Sequence, residues 1–331
     1  MTTVDTKPEP TVLLLMGPTA SGKTALAMTL AEQRPVHLIN MDSAQVYRGF
    51  DIGSAKPSAT ELERYPHALI DIKDPSEPYS AAQFVDDADL QVRKAIEQQR
   101  LPVLVGGTML YARAFCDGLA QLPQAVPEVR QALAARAQRE GWPALHAELA
   151  AQDPEAAARI HPNNHQRLQR ALEVLAITGA PLSAHWQAGT AQSVQQRLGV
   201  RPVAVGLVPA DRALLHAHIA QRFEAMLAQG LLDEVRALRN RGDLDLSLPA
   251  VRAVGYRQAW EHLEAGGEER ALVEKGIAAT RQLAKRQLTW LRSWPDLTVL
   301  EADGLLRAGS LEAANSVLLR LSELVWARLA K

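Results

Sequence analysis

Residues 17–24 constrain the fold of this chain more than any other segment. They read GPTASGKT and match the phosphate-binding pattern G-x-x-x-x-G-K-[ST] at every fixed position. The apolar run at 12–16 predicts a buried strand before the segment, and 25–31 predicts a helix after it. Glycines let several N–H groups of such a turn face one anion, at the positive end of the helix. The pattern therefore predicts a phosphate site; a glycine-rich turn without a ligand is the alternative.

Length and composition set broad limits on the class of protein. The 331 residues suffice for two domains, and a charged content of 22% is typical of a globular enzyme. A net charge of -1 means that any nucleic-acid surface must be a local patch. Cys116 is the only cysteine, which excludes an intramolecular disulfide and favours a reducing compartment. No apolar run approaches the roughly twenty residues that span a bilayer. We therefore expect a cytoplasmic monomer without membrane contact.

The order of strand and helix patterns predicts an α/β fold. Strands are predicted at 36–41, 68–71, 102–105, 202–208 and 297–300. Because a strand, a helix and a second strand form a βαβ unit, the sheet should be parallel. We expect a P-loop NTPase-like core, a parallel sheet flanked by helices, built from residues 1–120 and 200–331. Residues 121–199 show helical spacing without strand patterns and predict an all-helical insertion domain. Residues 1–10 predict a loose tail, and 49–79 predict largely irregular structure around the strand at 68–71.

Polar residues at the predicted strand ends locate the chemistry, because ligands of open parallel sheets bind outside the carboxyl ends of the strands. Asp42 follows the second strand, where it either holds magnesium, accepts a proton or only caps the next turn. Gly106, Gly107 and Thr108 follow 102–105, and the glycines allow either the close approach of a ligand or a tight turn. Hydrolases with a phosphate loop typically have an acidic magnesium ligand at such a strand end. Its absence weakens the hydrolase interpretation and leaves room for a diphosphate that is not part of a nucleotide.

Two segments suggest contact with a polynucleotide. Residues 275–295 contain five Lys/Arg and no Asp or Glu, with Trp290 and Trp294 interleaved. Residues 166–170, which read QRLQR, offer a second polar and basic face. A run of residues whose charges are all positive, with aromatic side chains between them, favours nucleic-acid binding, although the solvated face of a helix gives the same pattern. Together with the phosphate loop, these faces predict an enzyme that brings a diphosphate to a polynucleotide.

Seven segments together resemble the tRNA dimethylallyltransferases, the enzymes that prenylate the adenosine next to the anticodon. In family order they are GPTASGKT at 17–24, DSAQVYR at 42–48, DIGSAKP at 51–57, GGT at 106–108 with LY at 110–111, RLQRALEV at 167–174, VGYRQ at 254–258 and TRQLAKRQLTWLR at 280–292. The phosphate loop alone is unspecific, but the set is highly specific and extends from residue 12 to about 295. Two residues depart from the family pattern: Met109 replaces a small residue, and Asn164 replaces an acidic one.

The resemblance implies transfer of a dimethylallyl group from dimethylallyl diphosphate to N6 of adenosine at tRNA position 37, giving N6-(dimethylallyl)adenosine and diphosphate. It implies that Asp42 takes the proton of the exocyclic amine, that the Thr108 hydroxyl assists, and that Mg2+ lies near Thr24. The base must be flipped into the cleft.

The resemblance also assigns binding residues. The diphosphate would contact Gly17, Pro18, Thr19, Ala20, Ser21, Gly22, Lys23, Thr24 and Arg222. The tRNA would contact Asp42, Ser43, Ala44, Gln45, Thr108, Arg130, Gln166, Arg167, Leu168, Gln169, Arg170, Arg252, Ala253, Val254, Gly255, Tyr256, Arg257, Lys285, Arg286, Gln287, Trp290 and Arg292. The helical insertion domain would bind the anticodon stem-loop.

Two other functions share parts of this pattern. A P-loop kinase of a nucleotide or small metabolite would have the same fold and magnesium, with Arg222 over the transferred phosphate. An RNA-binding protein whose phosphate loop has lost catalysis would keep the basic faces, although the intact Lys23, Thr24 and Asp42 argue against it. Binding of ATP, with none of a prenyl diphosphate, would favour the kinase.

Overall fold

The structure is a computed structural model that describes residues 9–120, 122–189, 191–308 and 310–330. It contains two compact units: Asp117–Ser193 form one, and the chain before and after this segment forms the other, the core unit. These bounds differ from the predicted 121–199, because Val194 is buried in the core unit together with Phe115. Of the predicted tail at 1–10, residues 1–8 lie outside the described residues.

A six-stranded sheet forms the centre of the core unit. Its strands are β1 (Thr11–Met16), β2 (Val36–Asn40), β3 (His67–Ala68), β4 (Leu101–Gly106), β5 (Arg201–Val208) and β6 (Thr298–Glu301). They lie in the order β3-β2-β4-β1-β5-β6, and all neighbours are parallel. The predicted α/β core is confirmed. Because β1 pairs with β4, the loops that follow these two strands are neighbours at the carboxyl edge of the sheet.

Helices cover both faces of the sheet and form the second unit. In chain order they are α1 (Lys23–Gln33), α2 (Ala59–Arg64), α3 (Ala81–Glu97), α4 (Met109–Asp117), α5 (Pro127–Glu140), α6 (Trp142–Gln152), α7 (Pro154–Arg159), α8 (His165–Thr178), α9 (Leu182–Gln187), α10 (Val194–Leu198), α11 (Arg212–Ala228), α12 (Leu231–Asn240), α13 (Tyr256–Ala265), α14 (Glu269–Arg292), α15 (Asp303–Leu306) and α16 (Leu311–Leu329). Within the described ranges, none of them combines the length and the apolar character of a membrane span.

Strand β1 shows why a continuous apolar run is needed at the centre of the sheet. Leu13 and Leu15 are fully buried on one face, in a cluster that includes Leu26 of α1. Leu14 is fully buried in the cluster that includes Phe84 of α3. Since helices cover both faces, the buried side chains of residues 12–16 are all apolar, and the polar Thr11 lies at the half-buried start of the strand.

The segment 49–79 is more regular than predicted. The hydroxyl of Ser58 accepts a hydrogen bond from Glu61 N, and the Glu61 carboxylate accepts one from Ser58 N, so this capping box starts α2. The predicted strand at 68–71 was wrong beyond Ala68. Leu69 and Asp71 have φ of 66° and 55°, in the left-handed region, which ends β3.

The second unit is all-helical in its described residues, from α5 to α9. Its core includes Leu145, Leu149 and Leu168. A carboxylate lies in the same unit: Glu173 is fully buried and accepts hydrogen bonds from the guanidinium groups of Arg130 at 2.9 Å and Arg170 at 2.6 Å. The buried charge is therefore neutralised by two arginines.

Candidate active site

The phosphate loop follows β1 and ends where α1 begins. Gly17 lies so close to β5 that a Cβ there would be 2.7 Å from the carbonyl oxygen of Leu207. Gly22 has φ of 89°, a left-handed conformation that favours glycine, directly before α1. The Lys23 ammonium donates to the carbonyl oxygen of Pro18 at 3.4 Å. The lysine and the positive end of α1 thus meet at the loop, as an anion site requires.

Three charged groups meet beside this loop. Burial lowers the pKa of Lys23 to about 8; the Asp42 carboxylate opposes this shift, and the Arg222 guanidinium adds to it. Burial also lowers the pKa of Arg222, again against the effect of Asp42. Two cations close to each other in a poorly solvated site favour the binding of an anion, because it relieves their repulsion and replaces their lost hydration.

Thr19 of the phosphate loop is held by two helices from the C-terminal half. The Arg222 guanidinium, on α11, donates a hydrogen bond to the Thr19 hydroxyl. Gln287, on α14, accepts one from Thr19 N with Oε1 at 2.9 Å and donates one from Nε2 to the carbonyl oxygen of Gly107 at 2.8 Å. The phosphate loop is therefore tied, through one amide side chain, to the loop that follows β4.

Asp42 and Thr108 lie on the loops after β2 and β4. Thr108 Oγ1 accepts a hydrogen bond from Ser43 N at 3.0 Å and lies 3.2 Å from Ser43 Oγ. Asp42 Oδ1 accepts one from Ala44 N at 2.9 Å, so this oxygen caps the turn, as one of the sequence interpretations predicts. In the described parts of the chain, no hydrogen bond engages the other oxygen, Oδ2, which leaves it able to accept a proton.

A cavity of about 450 Å³ joins these groups, and it lies within the core unit. The predicted site residues that line it are Thr19, Asp42, Ser43, Ala44, Thr108, Arg222, Arg252, Ala253, Val254, Gly255, Arg286, Gln287 and Trp290. Of the predicted diphosphate residues, the cavity is lined by Thr19 and Arg222, and it brings these two together with much of the predicted RNA surface. Lys285 and Arg292 are exposed on the same helix, α14.

Among the predicted RNA contacts of the core unit, the side chains of Tyr256 and Gln287 are buried instead. Tyr256 is 1% exposed, and its hydroxyl donates to the Glu234 carboxylate at 2.5 Å. Gln287 is 7% exposed, and its amide is used by the two loops described above. Gln45 is half-buried, and its Nε2 donates to the carbonyl oxygens of Ser54 and Ala55. As an amide whose nitrogen is already used, it can offer only Oε1 to RNA.

The predicted RNA residues of the second unit divide into two groups. Leu168 is fully buried in the core, which its apolar character explains, and Arg130 and Arg170 pair with Glu173. Gln166 and Arg167 are exposed at the start of α8, and Gln169 donates to a backbone carbonyl oxygen of α5. The departure at Asn164 is accommodated: its side chain caps α8 by accepting from the backbone N–H of the third helical residue.

The apolar part of the cavity was not predicted. It includes Ile219, Phe223 and Met226, which lie at helical spacing around Arg222 on α11, together with Met109 and Tyr111 of α4. Burial raises the pKa of Tyr111, so its phenol stays protonated. Spacing of i, i+3, i+4 and i+7 around Arg222 is the signal that would have found the α11 residues.

The parallel sheet and the phosphate loop define an α/β protein of the P-loop class. The profile of the family described as IPP transferase matches residues 45–294. The chain belongs to the IPP transferase family, a family of prenyltransferases.

Relatives of named function agree with this membership. The chain is 54% identical over 308 residues to tRNA dimethylallyltransferase 2 of Hahella chejuensis, covering 90% of this chain and 93% of that protein. It is 55% identical over 294 residues to the tRNA dimethylallyltransferase of Ralstonia nicotianae, covering 88% and 91%. Among solved structures, it resembles the full-length tRNA isopentenylpyrophosphate transferase of Bacillus halodurans with a TM-score of 0.67 and 35% identity, over 97% of each chain.

Proposed function

We propose that this enzyme transfers the dimethylallyl group of dimethylallyl diphosphate to N6 of adenosine 37 in tRNA. The observation that carries the proposal is the cavity that Arg222 and Thr19 line together with Asp42 and Thr108. The Lys23 ammonium lies close enough for Asp42 and Arg222 to shift its pKa. Membership of the IPP transferase family and the function of the relative in Hahella chejuensis support the same reaction.

The donor would bind with its diphosphate against the phosphate loop, between Lys23 and Arg222. Charge on the diphosphate increases as its bond to the allylic carbon breaks, so both cations stabilise the transition state more than the ground state. The apolar side chains of α11, Phe223 among them, would shield the allylic carbon from water.

The acceptor amine needs a base, because its lone pair is delocalised into the adenine ring. In the transfer, N6 attacks the allylic carbon, and the bonding electrons of the carbon–oxygen bond leave with the diphosphate. The proton of N6 passes to Asp42 Oδ2. The Thr108 hydroxyl, which accepts a hydrogen bond from Ser43 N, orients the amine. A base inside a stem-loop reaches this cavity only when it is flipped out of its stack.

The chain's residues fit a divalent cation that arrives with the diphosphate. No group of three or more His, Cys, Asp or Glu that could hold a metal occurs in the described ranges. Thr24, in the first turn of α1, is half-buried and supplies one hydroxyl. Mg2+ commonly takes its other ligands from substrate phosphates and water, and it would neutralise charge on the leaving diphosphate.

The acceptor is proposed to lie along α14, whose exposed Lys285, Arg286 and Trp290 combine charge with an aromatic face. The second unit, with the exposed Gln166 and Arg167, would bind the stem of the anticodon stem-loop.

Transfer of labelled prenyl from dimethylallyl diphosphate to unmodified tRNA, with and without magnesium, tests the proposal. We expect magnesium-dependent labelling of the adenosine beside the anticodon. A tRNA in which guanosine replaces this adenosine is the matched control and should stay unlabelled. If ATP were turned over and no prenyl were transferred, the enzyme would be a kinase.

A further inference from the structure

We propose that Gln287 is a positioning residue that sets the distance between donor and acceptor. The inference rests on the proposed function and concerns a residue that the sequence pattern assigns to RNA. Its side chain is 7% exposed and bridges Thr19 of the phosphate loop and Gly107, the residue before Thr108. One amide thus connects the loop that holds the diphosphate to the loop that orients the attacking amine.

The hydrogen bonds permit one orientation of this amide. Thr19 N is a donor and needs Oε1, whereas the carbonyl oxygen of Gly107 is an acceptor and needs Nε2. In the flipped amide, like groups would face each other at both contacts. A glutamate of the same size could accept from Thr19 but would place a second oxygen against the Gly107 carbonyl.

The packing around the bridge leaves little room for movement. A Cβ on Gly107 would lie 2.3 Å from Gln287 Nε2 and 3.3 Å from the carbonyl oxygen of Gly17. Gly107 does not have a positive φ, so its backbone conformation does not require glycine. Glycine is needed here because a side chain would prevent the close approach of Gln287. Thr19 is also held through its side chain, because its hydroxyl accepts a hydrogen bond from the Arg222 guanidinium.

Such a bridge acts on the chemical step. In-line attack requires the reacting atoms to lie about 3–3.5 Å apart, and a misplacement of about 1 Å can lower the rate by about 100-fold. Since the amide is not exposed to RNA, its loss should change the alignment of the two substrates more than the affinity for either.

Two variants disturb the bridge from opposite sides. Gln287→Glu replaces one hydrogen bond by repulsion and keeps the shape of the side chain. Gly107→Ala leaves α14 unchanged and displaces the amide through the new Cβ. Gln282→Leu, an exposed position on α14, is the matched control.

For each variant we would measure the single-turnover rate with both substrates bound, the Kd of a non-reactive donor analogue and the Kd of an anticodon stem-loop. We expect both bridge variants to lower the rate by at least about tenfold. The Kd of the stem-loop should change by less than about threefold in both, and so should the Kd of the donor analogue in Gly107→Ala; in Gln287→Glu the new carboxylate also repels the diphosphate, so donor binding is compared only in Gly107→Ala. The double variant should be little slower than the worse single variant, because both remove one interaction.

If stem-loop affinity fell by as much as the rate, Gln287 would be an RNA-binding residue and the inference would be wrong. An unchanged single-turnover rate would also overturn the inference. Each variant is first checked by thermal unfolding, and Gly107→Ala tests the bridge if Gln287→Glu does not fold. If the wild-type enzyme transfers no prenyl group, the proposed function fails before the bridge is tested.

Discussion

The guanidinium of Arg222 donates a hydrogen bond to the hydroxyl of Thr19, a residue 203 positions earlier in the chain. This contact places a half-buried cation of α11 against the phosphate loop and next to Lys23. The proposed diphosphate site is therefore assembled from two distant parts of the sequence, and substitutions in either part can alter its charge.

Arg222→Ala should lower the single-turnover rate by about 100- to 1,000-fold, as loss of one transition-state donor does in other enzymes. Arg222→Lys should recover little of this rate, because an ammonium cannot reproduce the planar, forked donor set. Rapid-quench measurement of prenyl transfer checks both variants. Arg212→Ala, at an exposed position of the same helix, is the control and should stay near the wild-type rate. Similar losses in both alanine variants would argue against a specific clamp.

Asp42→Asn should lower the rate by about 100- to 10,000-fold, because the amide cannot take the proton of N6. Asparagine keeps an oxygen for the N–H of Ala44, so the turn should stay intact. Stem-loop affinity, measured by filter binding, should change little. Asp86→Asn, an exposed change on α3, is the control. A near-normal single-turnover rate of Asp42→Asn would exclude this carboxylate as the base.

Donor binding should weaken as the pH rises through about 8. Lys23 has a pKa of about 8 in the ligand-free enzyme, so its ammonium is present below this pH and is lost above it. Because a diphosphate favours the charged form, the Kd of a donor analogue should rise by up to about tenfold per pH unit above 8. Calorimetric titrations between pH 6.5 and 9.5 check this. Lys23→Arg should give a flat profile, and a flat profile in the wild type would contradict the prediction.

Lys285→Ala combined with Arg286→Ala should weaken tRNA binding and reduce its salt dependence. Each phosphate contact of a single strand contributes about 0.7 to the slope of log K against log salt concentration. Binding measured across a salt series gives this slope. Arg270→Ala, on the same helix but already paired with Glu274, is the control. An unchanged slope in the double variant would place these two residues outside the RNA contact.

Glu173→Gln should destabilise the second unit by about 1–3 kcal/mol, because Arg130 and Arg170 lose charge-assisted hydrogen bonds to the buried carboxylate but stay partly exposed to water. Burial acts to raise the pKa of Glu173, but hydrogen bonds from Arg130 and Arg170 outweigh it, so the pKa lies below its ordinary value of 4.5. The carboxylate therefore stabilises the fold fully above pH 4.5 and loses this contribution as the pH falls further. Urea unfolding at pH 7 and pH 3 measures both effects. Glu128→Gln, an exposed change on α5, is the control and should hardly change the free energy of unfolding. If both variants lost the same stability, the hydrogen bonds of Glu173 to the two arginines would not stabilise the fold.

Local pattern determined the sheet and the phosphate loop. The apolar run of β1 requires burial on both faces, and the spacing of Gly17, Gly22 and Lys23 specifies a turn around an anion. These features depend on residues close together in the chain, so the sequence alone predicts them. Segment 49–79 was less predictable, because the ends of β3 depend on the left-handed backbone of Leu69 and Asp71.

Only the tertiary structure decided which polar residues are available to a substrate. Lys285 and Gln287 lie two positions apart on α14 and are both polar, yet Lys285 is exposed and Gln287 is buried between two loops. Likewise, Arg130 and Arg170 belong to a basic pattern, but both donate hydrogen bonds to the single buried carboxylate of Glu173. A pattern of charges shows which residues can bind RNA, but partners distant in the sequence decide which of them remain free to do so, because each hydrogen bond to a buried group uses a donor that a ligand would need.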